Sequence, residues 1–414
     1  MKKILFLILI VSINTVFSQK ISHTLFSEKL NEDRKISVSL PPSYEKNTSR
    51  KYPVLFLLDA DFLLDPVQGA LSYGYYWDDL PEIIIVSIYQ EQSRETDCNS
   101  DSETGLPDEN SANFFEFIGG EVLPFIEKKY RVAPFKLIAG LDTTAGFLNY
   151  YLYKETPLFE AYIAMSPELP MDMEIHLPER LANIQKPLYY YHSMAEGDLK
   201  TTRERIQKMD DAIKVINNPN LNYKFDDFRG ATHYSAALNS IPSALFQIFA
   251  IYQPISINEY QEKIATLPFG YTDYLSKKYE TLEKSLGIKT QIRLSDFKAI
   301  EAAIYKNKDY NDFDKLSQLA DKDYPKTILS YYYLAKMYEL KGDIKHALRY
   351  YQNGYQMSEI AGLTKEMMLD KVDELSLTIK NEKNKPAEVQ DESNPTEPIE
   401  ESTSPISTEE KKPE

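Results

Sequence analysis

Short apolar runs alternate with longer helical patterns between Lys35 and Pro254. The central runs are continuously apolar, as in strands that are buried on both faces of a sheet. The segments between them carry apolar side chains at helical spacing, as in residues 112–130 and 201–216. The predicted strands are residues 36–40, 53–60, 82–89, 136–140, 161–167, 187–193 and 222–228. This alternation predicts an α/β domain over residues 19–254, with a mostly parallel sheet and helices on both faces.

From about residue 255 the pattern is helical throughout, which predicts a separate domain over residues 255–380. Residues 328–361 resemble a tetratricopeptide repeat (TPR). The matching positions are Leu334, Ala335, Tyr338, Ala347 and Tyr351. A weaker copy lies one period upstream, where residues 306–313 align with residues 340–347. Because a single repeat cannot bury its apolar face alone, we expect a small all-α TPR-like domain packed on the sheet domain. An ordinary helical hairpin is the alternative.

The two ends of the chain differ in composition from the rest. A positively charged start and a short apolar run precede a small-residue cleavage site at Ser18. This predicts a signal peptide over residues 1–18, which leaves Gln19 first and directs the protein to the periplasm or outside the cell. The alternative is a membrane anchor, for which the apolar run is too short. Residues 381–414 are rich in proline and acidic residues and are predicted to be a disordered acidic tail.

The balance of charges excludes several classes of partner. The net charge of −16 opposes binding to nucleic acid, which requires a basic surface, and to anionic membrane surfaces. No stretch after the leader is apolar for long enough to span a bilayer, so no membrane span is expected in the mature chain. Cys98 is the only cysteine, so the chain has no internal disulfide and must be stabilised by packing.

One acidic stretch has the spacing of a calcium loop. In "DCNSDSETGLPD", the side chains Asp97, Asn99, Asp101 and Asp108 fall where such a loop has ligands. The turn glycine is missing, since Ser102 stands there, and no flanking helices are apparent. Acidic loops of an acidic protein reach this spacing by chance. We therefore predict no metal and no cofactor, and the question of calcium at residues 97–108 stays open.

Residues 137–146, "LIAGLDTTAG", predict a strand, a sharp turn and a helix. Many hydrolases carry Gly-x-Ser-x-Gly at such a turn, the nucleophile elbow, with the serine as nucleophile. Here Gly140 opens the motif, Asp142 stands where the serine would be, and Thr144 replaces the second glycine. The turn therefore belongs to an enzyme with an unusual nucleophile, to an enzyme that has lost its activity, or to a protein that is no hydrolase.

Several further stretches follow one another in the order of a known family. They are "RKISVSLPPSY" (34–44), "YPVLFLLDAD" (52–61), "IIIVSI" followed by Arg94 and Asp97, "FFEFIGGEVLPFIEKKYRV" (114–132), the elbow, and "LFEAYIAMSPEL" (158–169). Together they resemble the putative-esterase family of α/β-hydrolases, which are relatives of enterochelin esterases and S-formylglutathione hydrolase. The resemblance extends over residues 25–250 and implies an α/β-hydrolase fold. Family members with a helical repeat domain behind the hydrolase domain exist, which agrees with the helical pattern after residue 255.

The resemblance implies a nucleophile, an acid and a histidine in that chain order. Of the five histidines, His233 fits, because it follows the last predicted strand, opens a helix and lies where the family has Gly-x-x-His. The others lie too early, within a strand or within the repeat: His23, His176, His192 and His346. The acid should follow the strand at residues 187–193. Glu196 and Asp198 are the candidates there, and the sequence does not choose between them.

The resemblance also implies an oxyanion hole made of two backbone N–H groups. One belongs to Thr143, after the nucleophile position, and the other to the loop near Asp61 or Phe62. The family has glycine where Ala60 stands, so we expect the alanine to narrow the hole or shift the loop. We also expect the β-branched Thr144 to disturb the close contact between helix and strand that a glycine permits.

These residues leave three hypotheses of function. The first is an exported, degenerate esterase that binds a small-molecule or ester-like ligand. The second is an active hydrolase with Asp142 as nucleophile or base and His233 as its partner, since an aspartate can attack covalently. Dehalogenases and epoxide hydrolases of this fold use an aspartate at the turn with tryptophan or tyrosine donors, and Trp77 is the only tryptophan here. The third is a protein partner bound through residues 255–380.

Overall fold

The computed structural model describes residues 19–383 of the 414-residue chain. The predicted signal peptide, residues 1–18, lies outside the described residues, and so does the predicted tail from residue 384 onward. Residues 381–383, which were predicted to belong to the tail, are helical. The chain forms two compact units that divide between Pro325 and Lys326.

An eight-stranded sheet runs through the first unit. Its strands are β1 (Gln19–Ser27), β2 (Glu32–Leu40), β3 (Tyr52–Leu57), β4 (Ile84–Ile88), β5 (Val132–Leu141), β6 (Ala161–Met165), β7 (Leu188–Ala195) and β8 (Leu221–Phe228). Their order across the sheet is β1-β2-β4-β3-β5-β6-β7-β8. The neighbours from β4 to β8 pair parallel, whereas β2 pairs antiparallel with both β1 and β4. The predicted mostly parallel sheet is confirmed, and each predicted run contributes a strand.

β1 was not predicted, because it is an edge strand covered on only one face. Its side chains alternate between exposed and half-buried, with Ile21 and Leu25 packed against the core. His23 lies between them, and its Nε2 atom is 2.8 Å from the hydroxyl of Tyr130. Such a strand has no continuous apolar run that the sequence could reveal.

Helices lie between the strands of the first unit and after its last strand. They are α1 (Ala60–Tyr76), α2 (Arg94–Cys98), α3 (Glu109–Glu116), α4 (Leu123–Lys129), α5 (Thr143–Phe147), α6 (Met173–Ala182), α7 (Lys200–Ile213), α8 (His233–Ile248), α9 (Ile257–Glu259), α10 (Tyr271–Leu286), α11 (Leu294–Asn307) and α12 (Asp312–Asp323). A π-helical segment, Phe117–Val122, joins α3 to α4 over the predicted helix at residues 112–130. Among the helices of residues 19–383, none is long and apolar enough to cross a bilayer.

Two hydrophobic cores lie on opposite faces of the sheet. Successive side chains of β3 alternate between them: Val54 and Phe56 belong to the first core, Leu55 and Leu57 to the second. The first core packs under α3, α4, α6 and α7. The second packs under α1, α8 and α10. Helices therefore cover both faces of the sheet. The carboxyl ends of the parallel strands lie together at one edge of it.

Among the helices of the first unit that follow residue 254, α10 packs on the sheet. Leu282 and Leu286 of α10 belong to the second core. Arg293, just before α11, forms an ion pair with Asp78 after α1 and donates to the carbonyl of Tyr252. The compact units therefore divide later along the chain than the predicted boundary after residue 254.

The second unit, described over residues 326–383, is helical. Its helices are α13 (Ile328–Leu340), α14 (Ile344–Tyr355) and α15 (Lys365–Lys383). Ala335, Ala347 and Tyr351, which the repeat pattern singled out, are buried in its core with Met368 of α15. The helical C-terminal region is confirmed. Residues 306–313 and 340–347 each contain a turn between two helices, but they belong to different units, and the repeat relationship itself stays a prediction.

Candidate active site

Asp142 occupies a sharp turn between β5 and α5. Its backbone has φ 59° and ψ −118°, a region that residues other than glycine rarely adopt and that costs about 1–3 kcal/mol. The N–H of Asp142 donates to the carbonyl of Met165 at 2.9 Å. Its own carbonyl accepts from the N–H groups of Gly146 and Glu168, each at 3.0 Å. Backbone hydrogen bonds thus hold the strained turn in the shape of a nucleophile elbow.

Two glycines allow the chain segments around this turn to approach each other. A Cβ atom on Gly140 would lie 2.5 Å from the Thr144 hydroxyl oxygen. A Cβ atom on Gly146 would lie 1.9 Å from the carbonyl oxygen of Glu168, which follows β6. Gly146 therefore lets α5 approach the segment after β6. The close contact between α5 and β5 lies between Thr144 and Gly140, so the expectation that Thr144 disturbs this contact is wrong.

Thr144 instead forms buried hydrogen bonds to two neighbouring residues. Its hydroxyl lies 2.6 Å from Oδ2 of Asp59, to which it donates, and accepts from the N–H of Leu141 at 2.9 Å. Asp59 follows β3 and is fully buried, with its backbone in the left-handed region at φ 52°. This hydrogen bond ties the elbow to the loop at the end of β3, where the oxyanion donors were predicted.

Arg94 of α2 bridges the same two loops. Its Nε donates to Oδ1 of Asp59 at 2.7 Å, and its Nη2 donates to the carbonyl of Leu141 at 2.8 Å. Its Nη1 lies 3.6 Å from Oδ2 of Asp142. The guanidinium therefore stands between two carboxylates. We call this group, Asp59, Arg94, Asp142 and Thr144, the elbow side of the site.

Burial affects the two members of the Asp59–Arg94 pair differently. Burial raises the pKa of the Asp59 carboxyl above its ordinary value, against the hydrogen bonds from Arg94 and Thr144, which lower it. Burial also opposes the charge of Arg94, but the hydrogen bond and the charge of Asp59 outweigh it and raise the pKa of the guanidinium. We take the pair to be ionic, because Asp59 accepts from a guanidinium that remains protonated in proteins.

The ends of β7 and β8 carry the other half of the site, which we call the histidine side. Nδ1 of His233 lies 2.7 Å from Oδ1 of Asp198. The other carboxylate oxygen of Asp198 accepts from the N–H of Ala195 at 2.7 Å, and the side chain is buried. Glu196 is exposed and accepts from the N–H of Gly230 at 2.6 Å. Of the two candidate acids, the structure brings Asp198 to the histidine and Glu196 to a neighbouring loop.

Local sequence positions His233 at the first turn of α8. Thr232 caps this helix, with its hydroxyl accepting from the N–H of Ser235, and Ser235 completes a capping box. A Cβ atom on Gly197 would lie 2.8 Å from Cα of Thr232. The glycine therefore lets the loop after β7 approach the start of α8, so that Asp198 can reach the imidazole.

The predicted oxyanion donors lie around the elbow. Thr143 is the first residue of α5, where a helix leaves its N–H groups without partners inside the helix, and its hydroxyl donates to Glu168 at 3.0 Å. The N–H of Phe62 donates to the carbonyl of Asp59 at 3.1 Å. The Asp61 carboxylate accepts from the N–H of Gln90 at 2.8 Å. Because the N–H of Phe62 already has an acceptor, Asp61 is the better candidate for the second donor.

Within residues 19–383, no hydrogen bond or ion pair joins Asp142 to His233. Asp142 pairs with Arg94, and the imidazole of His233 has Asp198 as its hydrogen-bond partner. Asp198 as an ionised carboxylate only accepts, so Nδ1 carries the proton and Nε2 has a free lone pair. The histidine side is thus arranged as in a working triad, while the carboxylate at the nucleophile position is held by an arginine.

The remaining candidates lie elsewhere. His192 is buried in the sheet with its Nε2 2.6 Å from the hydroxyl of Tyr223, and burial lowers its pKa to about 3. The acidic stretch at residues 97–108 does not converge, because Asp97 pairs with Arg34 while Asn99 donates to Asp108. Throughout the described chain, no group of three or more His, Cys, Asp or Glu residues could hold a metal ion.

The sequence reasoning missed the roles of Asp59 and Arg94. Both lie in stretches that carried the family resemblance, but neither was assigned to the site. Asp59 directly follows a buried strand, and an acidic residue there needs a partner. That observation could have singled out Asp59, whereas no local signal names Arg94, which lies 35 positions away along the chain.

The comparisons with known proteins bear on the family and the fold. A family model described as putative esterase matches residues 27–171. The crystal structure of an uncharacterised protein from Capnocytophaga ochracea is 30% identical, covers 87% of this chain and 100% of its own, and has a TM-score of 0.78. The crystal structure of an IroE-like serine hydrolase from Shewanella oneidensis is 18% identical, covers 73% of this chain and 98% of its own, and has a TM-score of 0.55. No curated protein matches the sequence.

Proposed function

Because the chain belongs to the putative-esterase family of α/β-hydrolases, we propose that it has kept the frame of an ester-hydrolysing site and has lost the nucleophile. In this proposal Asp142 stands in place of the serine, and the protein binds a small ester-like molecule without cleaving it. The observation that carries the proposal is the ion pair of Asp142 with Arg94, which leaves the Asp198–His233 pair without a nucleophile to activate.

The charge of Asp142 opposes acyl transfer at this turn. Acyl transfer develops an oxyanion beside the N–H groups of Thr143 and its partner. A carboxylate about 4 Å from that oxyanion would cost about 1–4 kcal/mol, depending on how well water screens the two charges. Arg94 reduces this repulsion, but its ion pair with Asp142 also opposes attack, because the carboxylate would have to leave the guanidinium to reach a carbonyl carbon.

The free side of His233 suits a ligand that carries a hydrogen-bond donor. Nε2 bears a lone pair when Nδ1 donates to Asp198, so it accepts from a hydroxyl or amide on the ligand. The N–H of Thr143 provides a donor for a carbonyl oxygen near the elbow. An ester or amide with a neighbouring hydroxyl offers both groups, and we propose this class of ligand.

An active hydrolase with Asp142 as nucleophile is the second candidate, because the Asp198–His233 pair is intact. Attack by the carboxylate on an ester carbonyl would form an anhydride at Asp142 and break the bond to the alkoxide, which leaves as the alcohol after it takes a proton from solvent water. His233 could then remove a proton from the water that cleaves the anhydride. This candidate requires Asp142 to leave Arg94 during the reaction.

Ester hydrolysis and covalent labelling distinguish the two candidates. The purified chain is assayed with p-nitrophenyl acetate and with a fluorophosphonate probe, beside Asp142→Asn. We expect no serine labelling and a rate equal to that of the Asn variant. A rate that Asp142→Asn abolishes, or an acyl adduct on Asp142 by intact mass, would establish the second candidate. Stoichiometric labelling of any serine would refute the first.

We also propose that the protein is exported to the periplasm or beyond. The support is the composition of residues 1–18, which lie outside the described residues. Cell fractionation and N-terminal sequencing test this, with Gln19 as the expected first residue. A cytoplasmic protein that keeps its first residues would contradict it.

A further inference from the structure

The outward face of α1 exposes large aromatic side chains near both of its ends. Phe62, Tyr73, Tyr76 and the following Trp77 expose 50%, 65%, 80% and 58% of their surfaces. Their spacing places them on one stripe, because residues 7 and 11 apart on a helix point in nearly the same direction. The opposite stripe of α1, with Leu63, Val67 and Leu71, is buried in the second core. A helix that is apolar on both faces usually has a cover on both.

The charges on α1 are also unusual for this chain. The helix carries no lysine, arginine or glutamate, and its acidic side chains are Asp61 and Asp65. The chain as a whole has a net charge of −16, so two copies repel each other over most of their surfaces. The outward face of α1 is therefore a place where two copies can meet with little repulsion.

We infer that this face binds the same face of a second copy, with the two α1 helices antiparallel about a two-fold axis at Gly69. Gly69 lies at the middle of the stripe and is exposed, and a Cβ atom there would meet nothing within 4 Å. A glycine at the crossing point lets two helix backbones approach closely. An isologous interface requires a patch that is complementary to itself. Each residue at a given distance before the centre must therefore fit the residue at the same distance after it.

The residues on either side of Gly69 meet that requirement. Phe62 lies seven positions before Gly69 and Tyr76 seven positions after it. An antiparallel pair therefore places Phe62 of one copy between Tyr76 and Trp77 of the other. By the same count, Asp65 lies opposite the exposed Tyr73 of the other copy, whose hydroxyl can donate to it. The exposed carboxylate of the stripe thus gains a donor.

The area of the face is sufficient for a dimer. α8 packs beside α1 on the same core and exposes Tyr234 and Leu238. The five exposed aromatic residues on both helices present roughly 650 Å² per copy, since a full aromatic side chain buries about 150–250 Å². A standard interface buries about 800 Å² per partner, and Leu238 and the small residues of α1 supply the remainder. The dimer does not depend on whether the elbow is active.

Sedimentation velocity over a range of protein concentrations tests the dimer. We expect the purified chain to sediment as a dimer at micromolar concentration and Gly69→Lys as a monomer. Gly69→Lys should fold normally, because the position is open and lysine favours a helix more than glycine does. Ile175→Lys is the matched control, since Ile175 is an exposed apolar residue on α6. It should remain dimeric.

Cysteine cross-linking tests the orientation. Cys98 is buried and should not react. Gly69→Cys should form a disulfide-linked dimer under mild oxidation, because the two-fold axis brings the two cysteines together. Phe62→Cys alone should not, since two such residues would lie about 20 Å apart. A mixture of Phe62→Cys and Tyr76→Cys should link.

Three results would overturn the inference. A chain that is monomeric at every concentration would show that the outward face of α1 does not bind a second copy. A dimer that survives Gly69→Lys would lie elsewhere on the molecule. Efficient linking of Phe62→Cys to itself would require parallel helices, which contradicts the two-fold axis at Gly69.

Discussion

The histidine side and the elbow side of the candidate site have different relations to the family pattern. The histidine side keeps an acid, a histidine and the capped helix that presents it, with Asp198 and His233 at 2.7 Å. The elbow side keeps the backbone but has other side chains, with Asp142 beside Arg94 and Thr144 bonded to Asp59. The backbone of the elbow is held by main-chain hydrogen bonds, so the shape persists whatever side chain stands at its tip.

This difference teaches that the shape of a catalytic turn and its chemistry are stabilised separately. Asp59, Arg94 and Thr144 form a buried polar network that stabilises the fold at the elbow. The Asp198–His233 pair is buried to a similar extent but makes fewer hydrogen bonds to the surrounding loops, so we expect it to contribute less to stability. Removing side chains on the two sides should therefore affect different properties, and the following predictions are arranged from the largest expected effect to the smallest.

Removing Arg94 should destabilise the protein most. Arg94→Met keeps the length of the side chain but leaves Asp59 buried without its cationic partner, which costs about 3–5 kcal/mol of unfolding free energy. Urea denaturation at pH 7 measures the loss. Arg229→Met is the matched control, because Arg229 is 88% exposed and its nearest carboxylate belongs to Asp227. Its unfolding free energy should stay within about 0.5 kcal/mol of the parent. Equal stabilities of Arg94→Met and the parent would mean that Asp59 is solvated.

Under our proposal, a serine at position 142 should give the protein some esterase activity. The strained turn already exists and Thr144 does not distort it, so Asp142→Ser alone supplies the nucleophile that a serine esterase requires. A site with one oxyanion donor in place should gain about 100-fold in p-nitrophenyl acetate hydrolysis over the parent, or about 2.7 kcal/mol. The variant should also react with a fluorophosphonate probe.

Second changes in that variant separate the two candidate acids. Asp142→Ser combined with His233→Ala or Asp198→Asn should lose the activity again. Combined with Glu196→Gln it should keep the activity, because Glu196 contacts the loop at Gly230 and not the histidine. If Glu196→Gln abolishes the gain and Asp198→Asn does not, our assignment of the acid is wrong.

The buried His192 should make the protein sensitive to acid. The folded pKa of His192 is about 3, below the ordinary 6.5, because burial disfavours the charged form. Between these values the unfolded chain binds the proton and the folded chain does not, so stability falls as the pH falls. From pH 7 to pH 5 this group should cost the parent about 2 kcal/mol.

The variant His192→Phe should lack that loss, since a phenyl ring fits among Tyr190, Tyr223 and Phe225 and takes up no proton. The measurement is the difference in unfolding free energy between pH 7 and pH 5 for both proteins. Equal differences would show that His192 is reached by solvent or accepts a proton in the fold.

The smallest effect on stability should come from removing the hydroxyl of Thr144. Thr144→Val removes the hydroxyl that donates to Asp59 and keeps the shape, which should cost about 1–2 kcal/mol. Thr143→Val removes a hydroxyl that faces the exposed Glu168 and should cost less than about 0.5 kcal/mol. Thermal unfolding of both variants provides the comparison. A larger loss at Thr143 than at Thr144 would reverse our account of the elbow.

The sequence predicted the parts of this molecule whose physical cause is local. Continuous apolar runs such as residues 82–89 mark strands buried on both faces, and the position of His233 after a strand and before a helix is readable along the chain. β1 was not predicted, because one of its faces is exposed and its sequence therefore has no continuous apolar run. The packing of α10 on the sheet was not predicted. Leu282 and Leu286 indicate an apolar stripe, but the sequence does not indicate which element this stripe contacts.

The same limit applies to the site. The two candidate acids differ by two positions, and only the direction of the loop after β7 decides that Asp198 reaches the imidazole. The bridge from Arg94 to Asp59 and Asp142 joins three loops that meet only in the folded chain. The expectation for Thr144 rested on the glycine that it replaces in the motif. The motif does not indicate its hydrogen bond to Asp59.

The backbone of Asp142 also bears on the history of the gene. Aspartate codons and the AGY codons of serine differ at the first and second bases, so a path of single-base changes between them passes through glycine or asparagine. Glycine adopts positive φ without steric cost, and asparagine is enriched there. Each intermediate on such a path is therefore compatible with the turn at φ 59°. A lineage can cross between serine and aspartate at this position while the protein continues to fold at every step.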